Sequence, residues 1–332
     1  MSATTSGDIS AIPIVDVSPL LSSDDEAARA TAAELCRAYE QLGFALIIGH
    51  GIPPEVVERT FAASRAFHAA PLAQKQTIVI NEFHRGYMGL ASSTVVTSLV
   101  AHNTRPNLSE SVLVMHELAP DDPNVLARKP LQGPNQWPSW MPGFRATILD
   151  YMDAMEALAR RLLRGLTLGL DLPEGLLAPM FARPTLFVRL LHYPPHPADA
   201  PSDQFGSAPH TDYGCLTILA QDGSGGLQVR APDGRWLDAP PVPGSFVLNL
   251  GDLMPLWSNG RFKSTPHRVI NNRTGRDRYS LPFFFDPGME TIIECLPGCT
   301  GPGNPPRYEA MRYGDYLMER IDKNYDYRKR RG

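Results

Sequence analysis

The chain has 332 residues, 43% hydrophobic and 20% charged, with a formal net charge of −4. That length can bury a large core in one or two domains, and the balance is that of an ordinary globular protein. The mild acidity gives no reason to expect nucleic acid or an anionic membrane as partner, and no apolar run reaches the roughly 20 residues that a bilayer-spanning helix needs.

The opening MSATTSGDISAIP lacks the basic flank and apolar stretch of a secretory signal. Cys36, Cys215, Cys295 and Cys299 are too few for a disulfide scaffold. A soluble protein of a reducing, cytoplasmic compartment is therefore expected. Cys295 and Cys299, in CLPGC, have no second Cys/His pair at finger spacing and read as part of a Pro-Gly loop. The terminal RKRRG reads as a solvated end.

In chain order, IPIVDVSPL (12–20) reads as a short strand stopped at Pro19. Ser22, Ser23 and Asp24 offer caps for a helix to about residue 42, with Leu35, Tyr39 and Leu42 on one face and Gly43 as its stop. FALIIGHGI (44–52) reads as a buried strand, and PPEVVERTFAASRAFHAAP (53–71) as a helix bracketed by prolines. Residues 77–142 lack clean periodicity and predict loops, short strands and a flap. From Phe144 to about Leu168, Ile148, Met152, Met155, Ala159, Leu162 and Leu166 repeat at helical spacing, which predicts a long helix packed on the core.

The second half changes character. LFVRLLHYPP, CLTILAQD, LQVRAPDGRWLDAP, SFVLNLGDLMPLWS, KSTPHRVINN and RYSLPFFFDP are short strand-like runs punctuated by Gly, Pro, Asn and Asp, with a hairpin turn at APDGRW. Such runs predict an antiparallel sandwich or jelly roll, with a last helix over about 307–321. One domain is expected, built as a mixed region with helices packing on a barrel (1–165), a jelly-roll core (166–300) and a C-terminal helix and tail (301–332).

Within PHTDYG, an extended chain turns His210 and Asp212 to one face. His267, in STPHRVIN, is the best third partner, since separated strands of a jelly roll can meet at one mouth. Two imidazoles and a carboxylate form the facial set that suits non-haem Fe(II) and leaves three positions open. HTD alone is weak evidence, and nine histidines compete. His192 and His196 in HYPPH are denied a shared helix face by two prolines. His50, His68, His84, His102 and His116 lack a carboxylate at ligand spacing. Downstream, DRYSL places Arg278 and Ser280 on one face, where a guanidinium fork and a hydroxyl can grip a carboxylate.

Together H-x-D, the distant histidine and R-x-S resemble the Fe(II)/2-oxoglutarate-dependent oxygenases, specifically the isopenicillin N synthase-like family. IPIVDVS, GFALIIGHGI, RLLHYPP, PHTDYGCLTIL, VLNLGDLMPLWSNGRFKSTPHRV and RYSLPFFFDP carry the resemblance along most of the chain. It implies a cupin-like jelly roll, the double-stranded β-helix, flanked by helices. It implies Fe(II) on His210, Asp212 and His267, and the distal carboxylate of 2-oxoglutarate on Arg278 and Ser280. Tyr193 would contact cosubstrate or substrate, while Asn249 and Asp252 in NLGD read as turn and scaffold residues. O2 would be consumed, 2-oxoglutarate decarboxylated to succinate, and a C–H bond of a small molecule hydroxylated, desaturated or cyclised, as in secondary metabolism. Pro282 and Phe284, on the face of Arg278, and Arg85 and Tyr87 in HRGYMG are the pocket residues this implies. A cation there would favour an acidic substrate. Three alternatives stay open: an iron oxidase or cyclase of the same fold that spares 2-oxoglutarate, a zinc hydrolase or lyase on a cupin-like barrel, and a non-catalytic binding barrel. Oligomeric state is not legible.

Overall fold

In the strand Arg278–Asp286, Tyr279, Leu281, Phe283 and Phe285 all join one apolar core, as the two-residue period of a strand requires. Arg278, Ser280, Pro282 and Phe284 are left for the opposite face. This alternation recurs across the sheet and decides which side meets helices and which side faces a second sheet. The computed structural model describes residues 9–22, 24–96, 98, 105–197, 199–201, 203–270, 272 and 275–329. The cap expected at Ser23, the histidine at 102, residues 1–8 and the tail beyond 329 lie outside them.

The strands are β1 (Ile14–Asp16), β2 (Phe44–Ile48), β3 (Gly86–Met88), β4 (Glu110–Met115), β5 (Thr185–Tyr193), β6 (Ser207–His210), β7 (Leu216–Gln221), β8 (Leu227–Arg230), β9 (Trp236–Asp238), β10 (Phe246–Leu250), β11 (His267–Val269) and β12 (Arg278–Asp286). Eight of them form one sheet, in the order β1-β2-β10-β7-β12-β5-β4-β3, and four form another, β6-β11-β8-β9. The β8–β9 pair closes the hairpin expected at APDGRW. Leu42, Phe44, Leu46, Leu191, Tyr193 and Val247 of the large sheet and its approach pack on Leu227, Val229 and Val269 of the small one. The other face of the large sheet packs on helices. Mainly β, with helices outside, this is the expected jelly roll.

Helix α1 (Asp25–Gln41) starts where Asp24 accepts the backbone N–H groups of Glu26 and Ala27. It ends at Gly43, whose φ of 72° favours glycine and where a Cβ would meet the Lys263 carbonyl at 2.4 Å. Helix α2 (Pro54–His68) follows Pro53. The long helix spans Phe144–Gly169, and all six residues of its predicted stripe are buried. The strand expected over 12–20 is shorter, because Ser18–Leu21 turn into a 3-10 helix around Pro19. The last helix is displaced from the expected 307–321 to Tyr313–Asn324. Met311 and Arg312 pair with Ile292 and Ile293, so the chain is extended there and helix begins only afterwards. No helix of the described residues is long and apolar enough to cross a membrane.

Candidate metal centre

The small sheet places His267 of β11 directly across from His210 of β6. Directly paired residues present their side chains to the same face at close range, and the two imidazole centroids are 4.3 Å apart. β6 stops at His210, but the alternation carries two residues beyond it. Asp212 Oδ1 lies 3.8 Å from His210 Nε2 and 3.7 Å from His267 Nε2. Each of the three residues offers one ligand atom, and these lie within 4.8 Å of one another.

Every atom of the set that faces away is occupied. His210 Nδ1 donates to the Ala208 carbonyl at 2.8 Å and His267 Nδ1 to the Thr265 carbonyl at 3.2 Å. Both rings are thereby fixed with Nε2 turned inward. Asp212 Oδ2 accepts from Thr217 Oγ1 and Asn249 Nδ2, each at 2.7 Å, which leaves Oδ1 for the imidazoles. Burial, then the facing His267, pushes the His210 pKa down to about 4, so the ring is neutral. Burial works to raise the Asp212 carboxyl, but His267, His210, Asn249 and Thr217 outweigh it and hold the pKa below the usual range. Two inward-facing imidazole nitrogens and one carboxylate, oriented by outer hydrogen bonds, fit a divalent non-haem iron. Asn249 therefore does more than shape a turn. The glycine of HTDYG also has a physical reason: a Cβ on Gly214 would lie 1.7 Å from Oδ1 of buried Asp286, which accepts the Cys215 N–H at 2.6 Å.

Arg278 is buried on the sheet face opposite the helices. Its Nε donates to the Gly225 carbonyl at 2.6 Å, Nη1 lies 3.5 Å from Ser280 Oγ, and Nη2 lies 3.4 Å from Gln221 Oε1. The guanidinium carbon sits 4.6 Å from the Tyr193 ring centroid, a cation–π contact. The expected trio of Arg278, Ser280 and Tyr193 thus forms one cluster, and among the described residues no acidic side chain is hydrogen-bonded to the guanidinium.

A cavity of about 90 Å³ adjoins the triad, lined by His210 and Asp212 with Arg189, Phe187, Phe284 and Leu113. Leu317, Ile321, Asn324 and Tyr325, from the C-terminal helix and the residue after it, close its far side. Asn324 Nδ2 donates to Tyr213 Oη at 2.6 Å, and Tyr316 Oη donates to Asp252 Oδ2 at 2.7 Å. A roomier groove of about 770 Å³ contains none of the triad, and ion pairs such as Arg312–Glu290 form part of its wall.

Of the four expected pocket residues, Phe284 lines this cavity and three do not. Arg85 is fully buried elsewhere. Its guanidinium donates to Asn135 Oδ1 and to the carbonyls of Phe83, Leu131 and His116, and burial lowers its pKa to about 10. Tyr87 is buried with its hydroxyl on Glu110. That carboxylate also accepts Lys75 Nζ at 3.0 and 2.9 Å and His192 Nδ1 at 2.8 Å. Pro282 sits within β12 where the ladder to β5 is interrupted, consistent with its missing N–H. Arg105 pairs with Asp203 on the surface.

A two-sheet barrel carrying an inward-facing His-Asp-His set defines a mononuclear metal enzyme of the non-haem type. Residues 184–287 match the model of the 2OG-Fe(II) oxygenase superfamily, and residues 12–140 match that of the non-haem dioxygenase in morphine synthesis N-terminal region. The 2-oxoglutarate-Fe(II) type oxidoreductase hxnY of Emericella nidulans is 38% identical over 320 residues, 94% of this chain and 90% of that protein. Homoarginine-6-hydroxylase 2-ODD-233 of Oryza sativa subsp. japonica is 31% identical over 96% of this chain and 98% of its own. Among solved structures, a full-length Neurospora crassa protein in complex with alpha-KG and thymine superposes with a TM-score of 0.84 at 28% identity, over 95% of this chain and 98% of that one. The chain belongs to the 2OG-Fe(II) oxygenase superfamily. It is an Fe(II)- and 2-oxoglutarate-dependent dioxygenase that uses O2 to oxidise a small-molecule substrate, and its core is a double-stranded β-helix.

Proposed function

We propose that His210, Asp212 and His267 hold the iron of this dioxygenase, that Arg278 with Ser280 receives the far carboxylate of 2-oxoglutarate, and that Tyr193 backs that guanidinium. The observation that carries the reading is the convergence of three donor atoms within 4.8 Å, every other polar atom of the three side chains being already hydrogen-bonded. When bound, iron with 2-oxoglutarate and O2 supplies the oxidising power for C–H oxidation and releases succinate and CO2. The chain's own part is positional. The two histidines present their Nε2 atoms, and Asp212 brings one negative charge, aimed by Asn249 and Thr217. Arg278 supplies a fixed positive fork at the inner end of the cosubstrate. Leu191, Val229, Val247 and Val269 keep water from the space between the sheets. The product is an alcohol, or an alkene or ring where hydroxylation is diverted.

We further read the chain as one catalytic domain, because strands from residues 14–115 and 185–286 hydrogen-bond within a single sheet. A cytoplasmic setting is part of the same reading, supported by four free cysteines. An acidic substrate requires a cation other than Arg85, whose guanidinium is already committed to carbonyl and amide oxygens.

The test is anaerobic loading with Fe(II), followed by 2-oxoglutarate and O2. The expected result is O2 uptake with equimolar succinate and CO2, and loss of iron binding in a folded His267→Ala protein. Oxidised product without succinate, or turnover of a zinc-loaded protein without O2, would overturn the reading.

A further inference from the structure

The cavity beside the triad holds one charge to which the iron reading gives no role. Arg189 projects from β5 on the face it shares with Leu191 and Tyr193. Tyr193 lies opposite Arg278, so four residues at 3.3 Å each separate the two cation positions by roughly 13 Å along the sheet. A single small diacid held at Arg278 does not extend to both. Arg189 is half-buried, and its Nε donates to Ser111 Oγ at 2.9 Å, which steadies the fork.

No acid answers this guanidinium among the described residues. Asp212 faces the imidazoles. Glu110, on the opposite face of β4, is held by Lys75, Tyr87 and His192. A half-buried arginine on a cavity wall, with its outer edge unpaired, is a site for an anion brought from outside. Beside Arg189 the wall is apolar, while Ser93, Asn107, Ser207 and Asn324 line other parts of the cavity. Phe187 and Phe284 stack with centroids 4.6 Å apart, and Leu113 and Leu317 flank them. The volume of about 90 Å³ is well below the roughly 300–1,000 Å³ of sites for drug-sized ligands, so the occupant is small.

We propose that Arg189 selects the substrate: it receives the carboxylate of a small organic acid whose apolar body lies against Phe187 and Phe284, with the carbon to be oxidised on the His210–Asp212 side. This deepens the iron-site assignment above and rests on it.

The test uses anaerobic protein loaded with Fe(II) and 2-oxoglutarate, with calorimetric titration of two matched pairs, benzoate against benzamide and hexanoate against hexanamide. In the unaltered protein at least one acid binds more tightly than its amide by about tenfold or more. R189Q abolishes the preference, and R189K keeps part of it, because the charge survives without the bidentate fork. The dissociation constant for 2-oxoglutarate and the iron content stay at the unaltered values in both variants. Equal binding of acid and amide, no binding of either acid, or a preference undiminished in R189Q overturns the proposal. If R189Q does not fold, the acid-against-amide comparison on the unaltered protein and the R189K titration decide it. Failure to take up Fe(II) or 2-oxoglutarate, read before any acid is added, condemns the iron-site assignment instead.

Discussion

Asn249→Ala tests whether the carboxylate at the metal centre is aimed by its surroundings. Asn249 and Asp212 are both buried, at 3% and 8% exposure, and joined at 2.7 Å. The substitution removes one of the two side-chain donors to Oδ2 and leaves Thr217 as the other. A hydrogen bond to a charged group contributes about 1.5–3 kcal/mol. Outer-sphere partners of metal ligands are typically worth about 10–100-fold in metal affinity, and about 1.4 kcal/mol corresponds to tenfold. The two scales agree, so Fe(II) affinity in Asn249→Ala falls about 10–100-fold. The assay is anaerobic competition between the protein and a chromophoric chelator, with urea denaturation of the metal-free protein alongside to separate lost folding from lost ligation. Thr217→Val should act in the same direction. A folded Asn249→Ala protein that binds Fe(II) as tightly as the unaltered chain would refute the reasoning, since Asp212 would then need no such aiming or would not be a ligand.

Arg278→Ala should weaken 2-oxoglutarate binding by about 30-fold or more with iron content unchanged, and a near-normal affinity would move the cosubstrate's anchor elsewhere. Lys75→Met leaves Glu110 charged in a site where the two side chains are 10% and 8% exposed. His192 and Tyr87 stay on that carboxylate, so losing the Lys75 hydrogen bond should cost about 1.5–3 kcal/mol in urea denaturation, and a cost below about 0.5 kcal/mol would contradict that account. His192 donates to Glu110 through Nδ1 and to Asp277 through Nε2, at 2.8 and 2.9 Å, so it carries both protons. Burial works against that cation, but the two carboxylates outweigh it and its pKa is raised. The stability it contributes is present in full below the unfolded value of about 6.5 and is lost as pH rises through the higher folded value. The urea midpoint should therefore decline across that window, and His192→Asn should flatten the decline; an equal slope in both proteins would assign it to another group.

The triad is legible in the sequence because it needs only local alternation and one long-range pairing: HTD supplies two ligands two residues apart, and His267 is the histidine that a strand brings opposite. Arg278 and Ser280 are legible for the same reason. Arg85 and Tyr87 look like pocket residues in a glycine-containing loop, but nothing local announces that four oxygens converge on one guanidinium or that Glu110 waits for the phenol. Asn249 and Thr217 escape because their task is set by contact with Asp212, which lies 37 and 5 positions away. Arg189 sits in RLLHYPP as one more polar residue of an alternating strand. Its setting depends on the stacked Phe187 and Phe284 and on a helix far downstream in the chain. The onset of that last helix falls later than its local pattern suggests, because the pairing that keeps Met311 and Arg312 extended is itself long-range.

Leu317, Ile321, Asn324 and Tyr325 give the helix Tyr313–Asn324 and the residue after it a share in the wall of the cavity beside the triad. Recombinant handling has to respect that. Proteolytic trimming ahead of Leu317 would remove that part of the cavity wall while leaving the strands that carry His210 and His267 in place. Such a preparation would still look native by circular dichroism and still take up iron, yet its retention of small molecules would be that of an opened vessel.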